Sequence, residues 1–177
     1  GVVHYTTSTS PPGLRVCPLS AAAIIPVPAD TTSGGLGWSL VVRPGPAPAP
    51  RTRHSLIYDS AHDRLVLFGG AYYSTLYNDV WFLPMTGDSA WQQITPLGTA
   101  PAPRSGHSAI YDEVNQRMLV FGGTTGTDQN DVWELSLSGE SAWTQLSIAG
   151  SKPSARNSHG AVYDACGQQM VVFGGSP

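Results

Sequence analysis

The sequence predicts an all-β protein built from tandem four-stranded sheets, and three observations carry that prediction. Its 177 residues include 20 Gly and 15 Pro, a composition that favours turns and short strands over long helices. The segment RTRHSLIYDSAHDRLVLFGG from Arg51 recurs as RSGHSAIYDEVNQRMLVFGG from Arg104 and as RNSHGAVYDACGQQMVVFGG from Arg156, at spacings of 53 and 52 residues. A second segment repeats in step with it, NDVWFLPMTGDSAWQQI from Asn78 matching NDVWELSLSGESAWTQL from Asn130. A fixed period of this length is the mark of one supersecondary unit stacked several times.

Within the unit, His54 to Tyr58 and Leu65 to Phe68 are short runs of aliphatic, β-branched and aromatic residues separated by the turn-forming DSAHD, and they read as a hairpin. The double glycine that follows supplies backbone freedom where side chains would clash. A variable loop then leads to a third strand over Asp79 to Leu83, and a fourth starts at Trp91. Seven residues separate Gly70 from Asn78 but six separate Gly123 from Asn130, so the single insertion falls in this loop, where it costs little. The stretches PLGTAPAP and AGSKPSA connect successive units, and their prolines prevent ladder pairing and stiffen the link.

On these residues the unit resembles the Kelch repeat: a period near fifty, paired glycines after the second strand and a tryptophan in the fourth. The resemblance implies a β-propeller of four-stranded blades, most often a rigid binding platform and in a minority of members an enzyme scaffold. The expected organisation is an N-terminal segment 1–36, a tail or a contributed strand, followed by Kelch-type blades over 37–177. Within that region a fourth strand occupies 37–43, full blades 51–96 and 104–148, and a half blade 156–175. Trp38 precedes His54 by the same 16 residues that separate Trp91 from His107 and Trp143 from His159, which makes GWSLVVR the last strand of an earlier blade. AIIPVPA could supply a third strand, although its prolines confine it to an edge.

About three blade equivalents make an incomplete ring, since propellers use four to eight. The complementary half blades at the two ends leave two expectations open. Either the chain is a portion of a longer propeller, or two copies pair their halves into a six-bladed homo-oligomer.

Candidate chemistry is sparse. His54, His107 and His159 begin the innermost strands and could together face an axis and ligate a metal; buried histidines repeated with the fold explain them more simply, so no metal is assigned. Arg51, Arg104 and Arg156 are expected to bond the neighbouring blade or, failing that, to line a ligand site. The pairs Tyr58-Asp59, Tyr111-Asp112 and Tyr163-Asp164, and the residues Trp81 and Trp133, read as packing and turn residues. Cys17 and Cys166 could form a disulfide that staples closure, or remain two thiols. The copper site of enzymatic family members, built on tyrosines, histidines and a cross-linked cysteine, has no corresponding set here, and no nucleophile elbow or paired-carboxylate motif occurs. No catalytic residue and no cofactor is assigned.

Function in an array is expected where the copies differ. The loop between strands two and three reads AYYSTLY in one unit and TTGTDQ in the next, and Arg53 stands where the other copies have Gly106 and Ser158. Arg53, Tyr72, Tyr73 and Tyr77 are therefore the candidate patch for a protein or glycan partner. Nine basic against twelve acidic residues and the lack of a basic run argue against nucleic acid, and Ala21 to Val27 is too short to span a bilayer. The expected function is a non-catalytic binding or scaffold module in an extracellular or periplasmic setting. The alternatives are part of an enzyme whose active residues lie in other blades and a structural subunit of an extracellular assembly.

Overall fold

Alternation of buried and exposed residues organises the chain into antiparallel sheets. The structure, a computed structural model, describes residues 44–87 and 89–176, all within the unit Val42–Pro177. The first sheet contains β1 (Ser55–Asp59), β2 (Arg64–Tyr72), β3 (Thr75–Pro84) and β4 (Gln92–Ile94), paired in chain order. The second repeats that meander with β5 (Ser108–Asp112), β6 (Arg117–Phe121), β7 (Val132–Ser136) and β8 (Trp143–Leu146). A two-stranded hairpin follows, β9 (Gly160–Asp164) with β10 (Gln169–Phe173). These are the blades of an all-β, incomplete propeller. Residues 1–43, with Cys17, Trp38 and the AIIPVPA segment, lie outside the described residues, as does the expected Cys17–Cys166 pairing.

The first hairpin of each unit closes the same way. Asp59 pairs with Arg64 and Asp112 with Arg117, and the residue before each arginine, Asp63 or Gln116, takes a positive φ of 46° or 48°. The segment read as a variable loop is in the first unit a continuation of the strands. Beyond a bulge between Phe68 and Gly70, Ala71 pairs with Leu76 and Tyr72 with Thr75. In the second unit the same stretch forms no strand ladder and is held by isolated bridges of Thr124 to Ser105 and Asp128 and by the Gln129 side chain, which donates to Thr125 and Thr127.

The core lies between the first two sheets. Val66, Phe68, Val80 and Phe82 of the first meet Met118, Val120, Trp133, Leu135, Leu137 and Trp143 of the second. Phe68 is fully buried, with its ring centroid 4.8 Å from that of Trp143, and burial of such a side chain is worth about 2–3 kcal/mol. The linkers are anchored by the asparagine of each NDVW: Asn78 donates to the Pro101 carbonyl at 3.1 Å and Asn130 to that of Pro153 at 3.3 Å. Proline there leaves a carbonyl free to accept while offering no competing donor.

Candidate functional site

The first strands of the units gather at one side, β1 against β5 and β5 against β9, and the segments entering them form a chain of hydrogen bonds across the sheets. Gly106 N–H donates to the Arg53 carbonyl at 2.9 Å and Ser158 N–H to the Gly106 carbonyl at 2.7 Å. All three residues adopt a left-handed backbone, with φ of 57°, 66° and 57°. The glycine in the middle copy gives room as well as conformation. A Cβ at Gly106 would stand 2.6 Å from an Arg53 guanidinium nitrogen, because that side chain crosses it to donate to Asn157 Oδ1 and to Ser158 Oγ at 2.9 Å.

Histidines join adjacent sheets beside this chain. His107 Nε2 lies 2.9 Å from Ser55 Oγ and His159 Nε2 lies 2.8 Å from Ser108 Oγ, all four residues being buried. Burial, aided by the nearby Arg104, lowers the His107 pKa to about 3, so the ring is neutral near pH 7. The Nε2 atoms of His107 and His159 are thus each bonded to a serine one repeat away, while their Nδ1 atoms are buried without a hydrogen-bond partner. Among the described residues no three His, Cys, Asp or Glu side chains are grouped to hold an ion.

The arginines do not bond the neighbouring blade through their side chains. Arg51 pairs with Asp79 and Arg104 with Asp131 of its own sheet, each through two nitrogens to two oxygens. The same aspartates accept the Trp81 and Trp133 indole N–H at 2.6 Å. The link to the neighbour is made by backbone instead: the Arg104 carbonyl accepts from Gly70 N–H at 2.9 Å and its N–H donates to the Tyr77 carbonyl at 3.0 Å. Burial opposes ionisation of Asp131, but the bonds from Arg104 and Trp133 outweigh it and hold the carboxyl below its usual range.

The Tyr-Asp pairs span units. Asp59 and Asp112 are almost fully buried; Asp59 holds His62 and Arg64, while Asp112 holds Asn115, Arg117 and, from the third unit, the Tyr163 hydroxyl at 2.9 Å. Tyr111 stands against Asp59 in the same register with its hydroxyl outside hydrogen-bonding geometry. Burial and that carboxylate push Tyr111 up to about 12.

The four residues of the candidate patch divide. Arg53 is tied to Asn157 and Ser158, and Tyr77 lies half-buried under the Arg51 guanidinium, 4.1 Å from its ring centroid. Tyr72 and Tyr73 remain at the hairpin tip, 48% and 89% exposed, packed edge to face with centroids 4.6 Å apart. With Thr52 and Ala71 they line a shallow depression of about 220 Å³. Sequence reasoning missed Ser55 and Ser108; the signal available was a serine directly after the histidine in two of three copies.

A family model for the KLHDC2/KLHL20/DRC7 Kelch-repeats domain matches residues 30–177. Similar proteins include the leucine-zipper-like transcriptional regulator 1 homolog of Drosophila melanogaster, 31% identical over 72% of this chain and 13% of its own length. Tip elongation aberrant protein 1 of Schizosaccharomyces pombe is 35% identical over 78% of this chain and 12% of its own. Dynein regulatory complex subunit 7 of Chlamydomonas reinhardtii is 36% identical over 71% and 11%. The chain therefore spans about an eighth of the length of these relatives. A transcriptional regulator and a dynein regulatory subunit are intracellular proteins, and they overturn the extracellular or periplasmic expectation. Among the described residues no helix is long and apolar enough to cross a membrane.

Proposed function

The chain belongs to the Kelch-repeat family, and from that premise we propose that it is a rigid protein-binding module whose contact surface centres on Tyr72 and Tyr73. The observation behind this reading is the first unit's long hairpin, which carries two adjacent exposed aromatic rings that the second unit lacks. Tyrosines bring large contact area at small entropic cost, and residues with no packing duty in the sheets are free to serve a partner. Thr52 pairs with Ala71 through two backbone bonds, which fixes the base of the tip. A glycan would also need converging side-chain donors beside the rings, and Arg53, the cation of the candidate patch, is committed to Asn157 and Ser158. A protein partner fits better.

The test compares the intact chain with the Tyr72→Ala/Tyr73→Ala double variant by cross-linking and mass spectrometry in extracts of the source cells. Partners captured by the native chain and lost by an equally stable variant support the reading. An unchanged set of partners refutes it.

A further inference from the structure

The tip of the first unit's long hairpin is strained where its counterpart is relaxed. Tyr72 pairs with Thr75, so the chain reverses through Tyr73 and Ser74 alone. Tyr73 takes a φ of 50° to do so, a left-handed backbone that bulky side chains seldom adopt. The second unit has Gly126 at the same place, three residues beyond its double glycine, at a positive φ of 105°, and glycine enters that region without a Cβ clash. A tyrosine held this way with 89% of its surface exposed contributes little packing to the sheet. Strain of this kind belongs with contact sites.

The chemistry around the two rings narrows what can sit on them. Tyr72 and Tyr73 meet at 77° and, with Thr52 and Ala71, wall a depression of about 220 Å³. A partner strand cannot be added there, because Ala71 already commits its N–H and its carbonyl to Thr52, at 2.9 and 2.8 Å. A phosphorylated or acidic segment needs free guanidinium groups, whereas Arg51 is paired with Asp79 and Arg53 bonds Asn157 and Ser158. A basic segment meets no charged lining residue, and a helix needs a groove several turns long. What remains is an uncharged, extended segment whose backbone requires no ladder.

We propose that the tip binds a proline-bearing segment of the partner protein in the polyproline II conformation, a choice that rests on the protein-binding reading above. Proline brings an apolar ring to the angle between the two tyrosines and has no N–H to leave unpaired against them. Its fixed φ leaves little conformational freedom to lose, which suits a contact this small. The carbonyl before it accepts a hydrogen bond from a tyrosine hydroxyl. Tyr73 is the anchor, since its ring is the more exposed, and Tyr72 supports that ring edge to face.

The probe is the uncharged peptide Ac-APAPAPAP-NH2, titrated into the isotopically labelled 177-residue chain and followed by NMR, with Ac-ASASASAS-NH2 as control. Amide signals of Thr52, Ala71, Tyr72 and Tyr73 should move together and saturate with the proline peptide alone, and Tyr73→Ala should weaken binding about tenfold or more. Tyr73→Asn, better suited to a left-handed backbone, should lose binding to the same extent while its urea midpoint stays level or rises, a pairing that a merely structural tyrosine would not give. Equal shifts with both peptides, no shifts, or saturation by a trimethyl-lysine peptide in place of the proline one would overturn the proposal. If extracts lose partners from the Tyr72→Ala/Tyr73→Ala variant yet the proline peptide moves nothing, proline is refuted and the protein-binding module stands. If the captured partners are the same with and without the two rings, the module itself is refuted, and this proposal with it.

Discussion

Acid should loosen the seam between the first two sheets through His107. The residue is 6% exposed, and burial, then the charge of Arg104, lowers its pKa from 6.5 to about 3. In the unfolded chain it titrates near 6.5. Because the folded value is the lower one, the unfolded state binds the extra proton between these limits, and stability declines as pH drops below 6.5. Moving from pH 7.5 to pH 5 crosses roughly 1.5 units of that window at about 1.4 kcal/mol each, so His107 alone removes about 2 kcal/mol. Asp79, Asp112 and Asp131 have folded pKa values below the ordinary 3.8, so their contribution is present above that value and fades only in stronger acid. His54 and His159 are also lowered and add to the total slope. The measurement is therefore a difference: urea unfolding followed by tryptophan fluorescence at both pH values, for the native chain and His107→Gln. The native chain should lose about 2 kcal/mol more than the variant between them; equal losses would refute the role given to this buried ring.

Other perturbations separate local causes. Gly70→Ala places a Cβ 2.8 Å from that of His54 at a φ of +100°, and should cost about 2 kcal/mol or more in urea unfolding. Asp131→Asn leaves the buried Arg104 without its anion and should cost about 3 kcal/mol, whereas Glu134→Gln, at a partly exposed pair with Arg117, should stay within about 1 kcal/mol. Ser108→Ala strips His159 Nε2 of its partner and should cost about 1–3 kcal/mol. Tyr72→Ala and Tyr73→Ala should each shift stability by no more than about 0.5 kcal/mol, which keeps their effect on binding interpretable.

The sheet strands were legible because the repeat aligns three weak signals into one. Hydrophobic runs such as LIY and LVLF would be ambiguous singly. The extension of β2 and β3 through YYST was not legible, since a run of residues exposed on both faces gives no alternation and only cross-strand pairing reveals the ladder. The arginine clamps were misassigned for a different reason: Arg51 and Asp79 are 28 residues apart, and nothing along the chain says whether a long side chain folds back or reaches across. The axial bonds among Arg53, Gly106 and Ser158 use backbone atoms, so three dissimilar side chains disguise one shared conformation; the glycine was its only trace. At the Tyr72–Tyr73 tip the composition singled out the loop that carries the two exposed rings, but the diversion of Arg53 and Tyr77 to other partners follows from packing alone.

The contacts that the repeated histidines and the Tyr163 hydroxyl make across the seams all reach back to the preceding unit. Ser55 and Ser108 receive the histidine of the following unit, and Asp112 receives the following tyrosine. During vectorial synthesis each emerging repeat would find its acceptors already in place on the repeat made before it, so the molecule can grow as a template that copies its own geometry forward.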